Sequence, residues 1–539
     1  MTETIFPRKE LCCSLVRLNV PVTIKWSRVT VSLTAFLARL AFLCSRPLWY
    51  DEAFSKLYAS LSPARMIYGT VASVEGAGAA EVHPLSYYFL LHGWMRLVGN
   101  SVFAIRFLSV ILGMITVCVL WRLASWCFGA RTGMVVGWLA ATNPFHVAYS
   151  QEARMYALLG LSAVTAAWGL LRALGDPDRS HGNPWSLAPW NSSRRGVVSS
   201  LSHWALFILG SAVTLYAHNL GVFVLLALHL MVIVSGRWRQ GLRQVALADL
   251  VVLALFGPWL ATVLPGQIGF VQRGYWVSPP GAPEFVRALM LPVLTFYEPA
   301  PPWLVGLGLL TSLLIATLIL LAAWRSSSRV AGFLALAWAP IALLLLASLW
   351  RPVYIERALL PSALFYLVAV AWFLTRPAVP QSVRIGVVLL LAVSIVGSLS
   401  VHYRYDEFPR PPFRAAVEYL DAHIDARDAV VHTNKLTYLP MHAYDPDLPG
   451  TFMSDPAGSP QDTLAYPTQQ ALSIHATSTI TEAVGDANRT WLVYFPREVQ
   501  ETRAIAGEHA PLQWIESHFN EVSKKSFSDM VVALYQREG

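Results

Sequence analysis

SRPLWYDEAFSKLY, residues 45–58, ends the first long apolar stretch of the chain with two adjacent carboxylates, Asp51 and Glu52. Its meaning depends on what surrounds it. The 539 residues are 55% hydrophobic and only 13% charged, about half the charge of an ordinary soluble domain, so lipid is the solvent. A span needs roughly 20 apolar residues. By that measure and by breaker residues about eleven spans are expected, near 29–48, 102–121, 133–148, 154–173, 203–219, 220–236, 246–264, 303–324, 330–350, 357–375 and 384–402. The first carries Arg39, which must face a polar cavity or a thinned bilayer. It lacks a small-residue cleavage site and reads as a signal anchor.

Orientation follows the short-loop cations. Lys and Arg from Arg8 to Arg28, then Arg122 and Arg131, Arg194 and Arg195, Arg237 and Arg239, Arg325 and Arg329, and Arg376 and Arg384 occupy alternate loops, expected in the cytoplasm. The opposite loops hold Asp51, Glu52, Glu75, Glu81, Glu152, Glu284, Glu298 and Glu356. The net charge of +8 therefore reports topology, and no nucleic-acid partner is implied. The plasma (inner) membrane is the expected location. Five cysteines, Cys12, Cys13, Cys44, Cys118 and Cys127, show neither metal-ligand spacing nor a disulfide framework. Cys12 and Cys13 read as lipidation sites or, more commonly, as small buried thiols.

Three parts follow along the chain. Residues 1–28 form a cytoplasmic N-terminus and 29–403 a transmembrane domain with long outer connections at 49–101 and 265–302. The first connection reads as interfacial helices with Tyr87, Tyr88 and Trp94 at headgroup depth. The loop 174–196 is polar and rich in Pro and Gly, a flexible cytoplasmic connection. Residues 409–539 are of different material. FRAAVEYLDAHI has helical apolar spacing, whereas DAVVHT, TWLVYF and MVVALYQR are short β-branched or aromatic runs, so a small extracytoplasmic α/β domain is expected.

The candidate chemistry gathers in the outer loops. Asp51 and Glu52 read as a general base with a positioning partner, or as a solvated pair capping an interfacial helix. Glu152 and Arg154, in NPFHVAYSQEARMYALL, lie on a connection too short to leave the membrane surface. Arg154 suits a phosphate through its planar fork; the plainer reading is a Glu–Arg pair that pins two helices. His83, beside Pro84, suits a phosphate hydrogen bond; a metal site with Glu81 is the weaker reading, since two ligands at i, i+2 rarely suffice. His218 is a candidate for binding a donor phosphate or sugar; the plainer reading is a polar cap, since it sits in a tight turn. Arg357, in VYIERALLP, either snorkels to the interface or holds an anionic lipid. No P-loop and no Gly-rich turn between strand and helix is present.

In order, LWYDEAFS, HPLSYYFLLHGWMRLVGNSVFAIRFLSVILG, NPFHVAYSQEARMYALLGLSA, LYAHNLG, VYIERALLP and FRAAVEYLDAH resemble the GT-C glycosyltransferases of the bacterial protein-mannosyltransferase-like branch, relatives of the aminoarabinose transferase acting on lipid A. The resemblance covers most of residues 30–440. It implies a polytopic α-helical fold and transfer of a sugar, with inversion, from a polyprenyl-phosphate donor to an extracytoplasmic lipid, glycan or protein. It also implies that Asp51 activates the acceptor hydroxyl, that Glu52 supports it and that Glu152 is a second pocket acid. Arg154, Arg357 and His83 would hold the lipid phosphate, and Tyr156 would line the sugar site. Two departures stand out: Pro84 is followed by Leu85 rather than a second proline, and no aromatic follows Arg357. No cofactor is assigned, and a divalent metal is compatible with the resemblance but not indicated by the residues. The alternatives are a polytopic transporter, which would need broken mid-span helices and two related halves, and a membrane scaffold whose outer domain does the work.

Overall fold

The computed structural model describes residues 22–72, 83–175, 193–236, 238–273, 277, 279–291, 293–294, 301–324, 328–454 and 464–537. It is a helical membrane unit joined to a C-terminal unit built on one mixed sheet. Among the described residues seven helices are long and apolar enough to cross a membrane: Val102–Phe128, Tyr156–Ala173, Gly241–Thr262, Pro302–Ala323, Arg329–Trp350, Glu356–Thr375 and Gln381–Arg404. Two more expected spans are shorter apolar helices, Leu201–Ala217 and Gly221–Val234. The remaining two differ from expectation for local reasons. The segment expected at 133–148 is broken, because Pro144 has no N–H and Asn143 caps a new helix by accepting from the His146 amide at 2.8 Å. The segment expected at 29–48 is the helix Val22–Leu40. Expected features at Glu75, Glu81, Glu298, Cys12, Cys13 and most of 174–196 lie outside the described residues.

Arg39 faces neither lipid nor a cavity. It is fully buried and donates to the carbonyls of Ala35, Ala140 and Ala141, with Nη2 2.9 Å from His146 Nδ1. The last two carbonyls belong to the C-terminal turn of Ala130–Thr142, whose orphan acceptors need donors in a region without water.

Among its described residues the connection 49–101 forms three helices, α1 (Tyr50–Ala59), α2 (Pro63–Val71) and α3 (Ser86–Val98). Tyr87 and Tyr88 are fully buried; Tyr88 packs against Phe54 and Tyr58 of α1 and against Tyr87. Trp94 is partly buried and donates its indole N–H to Ala104 O at 2.7 Å. These aromatics fix α1 against the span Val102–Phe128. Gly113 on that span is needed for close approach: a Cβ there would lie 2.2 Å from Ser150 Oγ.

The C-terminal unit starts with α4 (Phe413–Asp421) and contains β1 (Ala429–His432), β2 (Thr451–Met453), β3 (Ala476–Thr477), β4 (Arg489–Tyr494), β5 (Phe519–Phe527) and β6 (Met530–Arg537). The sheet order is β3-β2-β1-β4-β6-β5; β3, β2, β1 and β4 run parallel, and β6 and β5 are antiparallel to their neighbours. Both faces are covered. Trp491 and Val493 of β4 join a core with Phe413 and Leu420, while Leu492 and Tyr494 join one with Ile515 on the other side. The three runs read as strands are β1, β4 and β6. β5, FNEVSKKSF, is polar because it is an edge strand, blunted by Lys524 and Lys525.

This unit rests on α1 and α2. Its helix Lys435–Tyr444 packs along α1, where Lys56 Nζ donates to Ala443 O at 2.7 Å and the Leu48 amide donates to the Tyr444 hydroxyl at 2.8 Å. Thr468 Oγ1 donates to Gly69 O at 2.8 Å, and a Cβ on Gly69 would sit 2.9 Å from Ala471 Cβ, so only glycine fits.

Candidate active site

Asp51 and Glu52 occupy the first turn of α1, where the helix dipole favours anions. Adjacent helical residues point about 100° apart, so the two acids meet different surroundings. Glu52 points inward and is fully buried. Its Oε1 accepts from Arg106 Nε at 2.7 Å and the Ala153 amide at 3.0 Å; its Oε2 accepts from Arg106 Nη2 and Arg410 Nη1, each at 2.7 Å. Arg106 also donates to the carbonyls of Leu43, Arg46 and Pro47, which pins the turn leading into α1. Burial pushes the Glu52 carboxyl up, but Arg106 and Arg410 outweigh it and hold the group down at about 2.

Asp51 faces a ring of side chains. Its Oδ2 lies 2.7 Å from Arg357 Nη1 and 3.8 Å from Arg154 Nε. Arg154 Nη2 is 3.4 Å from His83; the His83 and His218 rings are 5.4 Å apart; His218 and Tyr156 are 6.0 Å apart; and the Arg357 guanidinium returns over Tyr156 at 5.7 Å. The circuit therefore closes on Asp51. It opens on one side, since the Asp51 and Arg357 side chains are 14% and 21% exposed. Burial pushes Asp51 up, yet Arg154, Arg357 and His83 together hold its carboxyl below the usual range. Burial, helped by His83 and the two arginines, holds His218 well below its ordinary value and hence neutral. His218 Nδ1 accepts from the Leu220 amide, while Nε2 is buried with no hydrogen-bond partner among the described residues.

SQEARMY, residues 150–156, assembles these parts residue by residue. Ser150 Oγ ties back to His146 O at 2.6 Å. Gln151 Nε2 donates to Arg39 O and Ala41 O, closing the C-terminal end of Val22–Leu40. Glu152 Oε1 lies 2.6 Å from Arg410 Nη2, while Oε2 is buried without a partner among the described residues. The Ala153 amide holds Glu52, and Arg154 and Tyr156 enter the ring. Burial raises the Glu152 carboxyl; Arg410 opposes this and Glu52 adds to it.

All eight residues singled out from the sequence thus converge: Asp51, His83, Arg154, Tyr156, His218 and Arg357 in the ring, with Glu52 and Glu152 joined beside it by Arg410. Arg357 stacks over Trp49 at 5.2 Å and turns toward Asp51 instead of snorkelling. Sequence reasoning missed Arg106, Arg410, Arg46 and His402. Arg106 was legible as a charge inside an apolar span, the signal that picked out Arg39. Arg46, which contacts His402 Nε2 at 3.1 Å, lay near the end of the expected span 29–48 and carried the same signal, whereas Arg410 lies in a connecting segment where arginine is unremarkable. Among the described residues three carboxylates (Asp51, Glu52, Glu152) face five guanidiniums (Arg46, Arg106, Arg154, Arg357, Arg410), an excess of two positive charges. Such an excess, largely out of water, is costly unless an anion completes it. Among the described residues no three His, Cys, Asp or Glu side chains lie together as a metal site requires.

The fold is the GT-C fold of membrane glycosyltransferases. The chain resembles ArnT from Cupriavidus metallidurans in the apo state, at 14% identity and a TM-score of 0.60, with 95% of this chain and 98% of that one covered. The same protein bound to undecaprenyl phosphate matches at 14% identity, covering 96% and 98%, with a TM-score of 0.59. The archaeal oligosaccharyltransferase AglB from Archaeoglobus fulgidus, in complex with an inhibitory peptide and a dolichol-phosphate, matches at 12% identity, covering 96% and 74%, with a TM-score of 0.54. Residues 82–188 match the family described as dolichyl-phosphate-mannose-protein mannosyltransferase, a segment that holds His83, Arg106, Glu152, Arg154 and Tyr156. No curated protein matches the chain in sequence.

Proposed function

We propose that this protein transfers a sugar from a polyprenyl-phosphate donor to an acceptor on the outer side of the membrane, with inversion at the anomeric carbon. The observation that carries this reading is the buried excess of guanidinium around one partly open carboxylate. A polyprenyl phosphodiester brings one negative charge and its phosphate leaving group carries up to two, which matches the excess. The bound phosphates of the similar structures support the same donor class.

In this reading the donor phosphate lies on Arg154, Arg357 and His83, with the isoprenoid tail in lipid. Tyr156 and His218 flank the sugar; neutral His218 Nε2 is placed to hydrogen-bond a sugar hydroxyl or phosphate oxygen. Asp51 takes the proton of the acceptor hydroxyl as the acceptor oxygen bonds to the anomeric carbon. The bond from that carbon to the phosphate oxygen breaks, and the growing charge on the polyprenyl phosphate is met by the arginines. When the donor engages Arg357, Asp51 loses its closest cation and becomes a better base. Glu52, whose oxygens are filled by four donors, positions α1 rather than touching substrate. The distribution of loop cations supports a cytoplasmic N-terminus and an outer C-terminal unit in the plasma (inner) membrane.

The test is mass spectrometry of surface glycans and lipids in the native host after gene deletion, with complementation by wild type and Asp51→Asn. A missing sugar restored by wild type alone supports the proposal. An unchanged glycan and lipid profile after deletion rejects it.

A further inference from the structure

Arg410 belongs to no membrane helix. It lies between the helix Gln381–Arg404 and the first helix of the C-terminal unit, Phe413–Asp421. Its side chain is nevertheless 1% exposed and sits between two acids from different elements, 2.7 Å from Glu52 Oε2 and 2.6 Å from Glu152 Oε1. Nη1 also donates to Pro47 O at 3.0 Å. The guanidinium lies 5.4 Å from the Trp49 ring, the ring over which Arg357 stacks. One indole therefore connects this clamp to the ring around Asp51.

The two acids depend on Arg410 unequally. Glu52 keeps Arg106 and the Ala153 amide whatever happens to Arg410. Glu152 has its Oε1 on Arg410 and its Oε2 buried and unpartnered among the described residues. Two nearby carboxylates do not both stay ionised in a dry site without a cation between them. Among the described residues the other charged or titratable groups facing this clamp are Arg46, Arg106, Arg357, His402, Tyr87, Tyr156 and Tyr444.

Building on the glycosyl-transfer reading above, we propose that Arg410 is a positioning residue of the reaction. It bridges Glu52 and Glu152, holds Glu152 beside the ring with Oε2 left to accept from a hydroxyl of the bound sugar, and makes the segment leading into the C-terminal unit a working part of the centre. Arginine suits this role because its planar fork spans two acceptors at once; lysine supplies a single point charge.

The test uses the full chain in detergent and in the deletion host, with Arg410→Gln, Arg410→Lys, Glu152→Gln and Asp51→Asn. Infrared difference titration needs no substrate. In Arg410→Gln a protonated-carboxyl band should persist about one pH unit or more above its wild-type range, since loss of an opposite charge at this distance shifts a carboxyl by that much, and the added Glu152→Gln should abolish the band. In the deletion host, Arg410→Gln at wild-type protein level should lower product formation roughly tenfold to a hundredfold, the scale of a misplaced site group, with Arg410→Lys intermediate. If Arg410→Gln does not reach the membrane, Arg410→Lys carries both readouts in the same directions. A wild-type titration, or full product from Arg410→Gln while Asp51→Asn is inactive, overturns the role of Arg410 and leaves the functional reading standing. Full product from both variants overturns both.

Discussion

Asp51 and Glu52 are neighbours with the same charge, yet their loss should have opposite consequences. In Glu52→Gln the side-chain shape is kept but one oxygen becomes an NH2 donor. Whichever way the amide turns, that donor faces two others: Arg106 Nε and the Ala153 amide on one side, or Arg106 Nη2 and Arg410 Nη1 on the other. Two hydrogen bonds are lost, at least one of them charge-assisted, at about 1.5–3 kcal/mol for each involving a charged group. Breaking a buried ion pair from one side costs about 3–5 kcal/mol by independent measure, so the two routes agree. Asp51→Asn gives up a pair whose side chains are 14% and 21% exposed, and the amide oxygen still accepts from Arg357. That loss should be about 1 kcal/mol, near the upper range for partly solvated pairs. The difference is at least about 2 kcal/mol, roughly thirtyfold in the unfolding equilibrium. Titration of the purified protein with SDS in mixed micelles, followed by tryptophan fluorescence, should show Glu52→Gln unfolding well before Asp51→Asn. Product formation should show the reverse specificity: Asp51→Asn folded but about 10²- to 10⁴-fold slower, the usual contribution of a general base. Equal stability of the two variants would refute the assignment of Glu52 to structure and Asp51 to chemistry.

Arg357→Gln should move the acid limb of kcat/KM, which reports the donor-free enzyme, upward by about one pH unit or more. The Asp51 carboxyl is held below its ordinary range by Arg154 and Arg357 against burial, so the base form is present above that depressed value and is lost as pH falls through it; removing Arg357 brings the loss nearer neutral pH, read in a pH–rate profile. Undecaprenyl phosphate should raise the thermal midpoint of the detergent-solubilised protein, while the uncharged alcohol undecaprenol at the same concentration should not, because the two excess positive charges need an anion. A tenfold difference in apparent affinity corresponds to about 1.4 kcal/mol, and equal shifts by the two lipids would remove the phosphate from the argument.

Much of the site could be read without coordinates because its residues sit in short connections between apolar runs. YDEAF, SQEARMY and YIER each follow or precede a helix that lipid compels, so they are confined to the membrane surface before any packing is known. The apolar runs likewise reveal helices, and the β-branched runs at 428–433, 490–495 and 530–537 reveal three adjacent strands of the C-terminal sheet, β1, β4 and β6. β2 and β3 have no comparable signal at three and two residues. The broken segment at Asn143–Pro144 was also visible in principle, since proline and a capping residue stand together there.

Partnership was another matter. Periodicity measures how a residue meets solvent or lipid, and both members of the DE pair look alike by that measure. Only the tertiary structure turns Glu52 inward onto Arg106 and leaves Asp51 on the open ring. Tyr87 and Tyr88 read as interfacial, and an aromatic beside a membrane is suited to headgroups and to a packed core alike; that both rings are covered by protein is decided by the neighbours they meet. Arg410 lies 358 residues from Glu52 and 258 from Glu152, and no local pattern carries a contact over such a distance. Local sequence settles which segments lie in lipid and which chemistry is stationed at their ends; the fold decides which charges share a dry space, because the strength of an ion pair depends on distance and burial rather than on chain order.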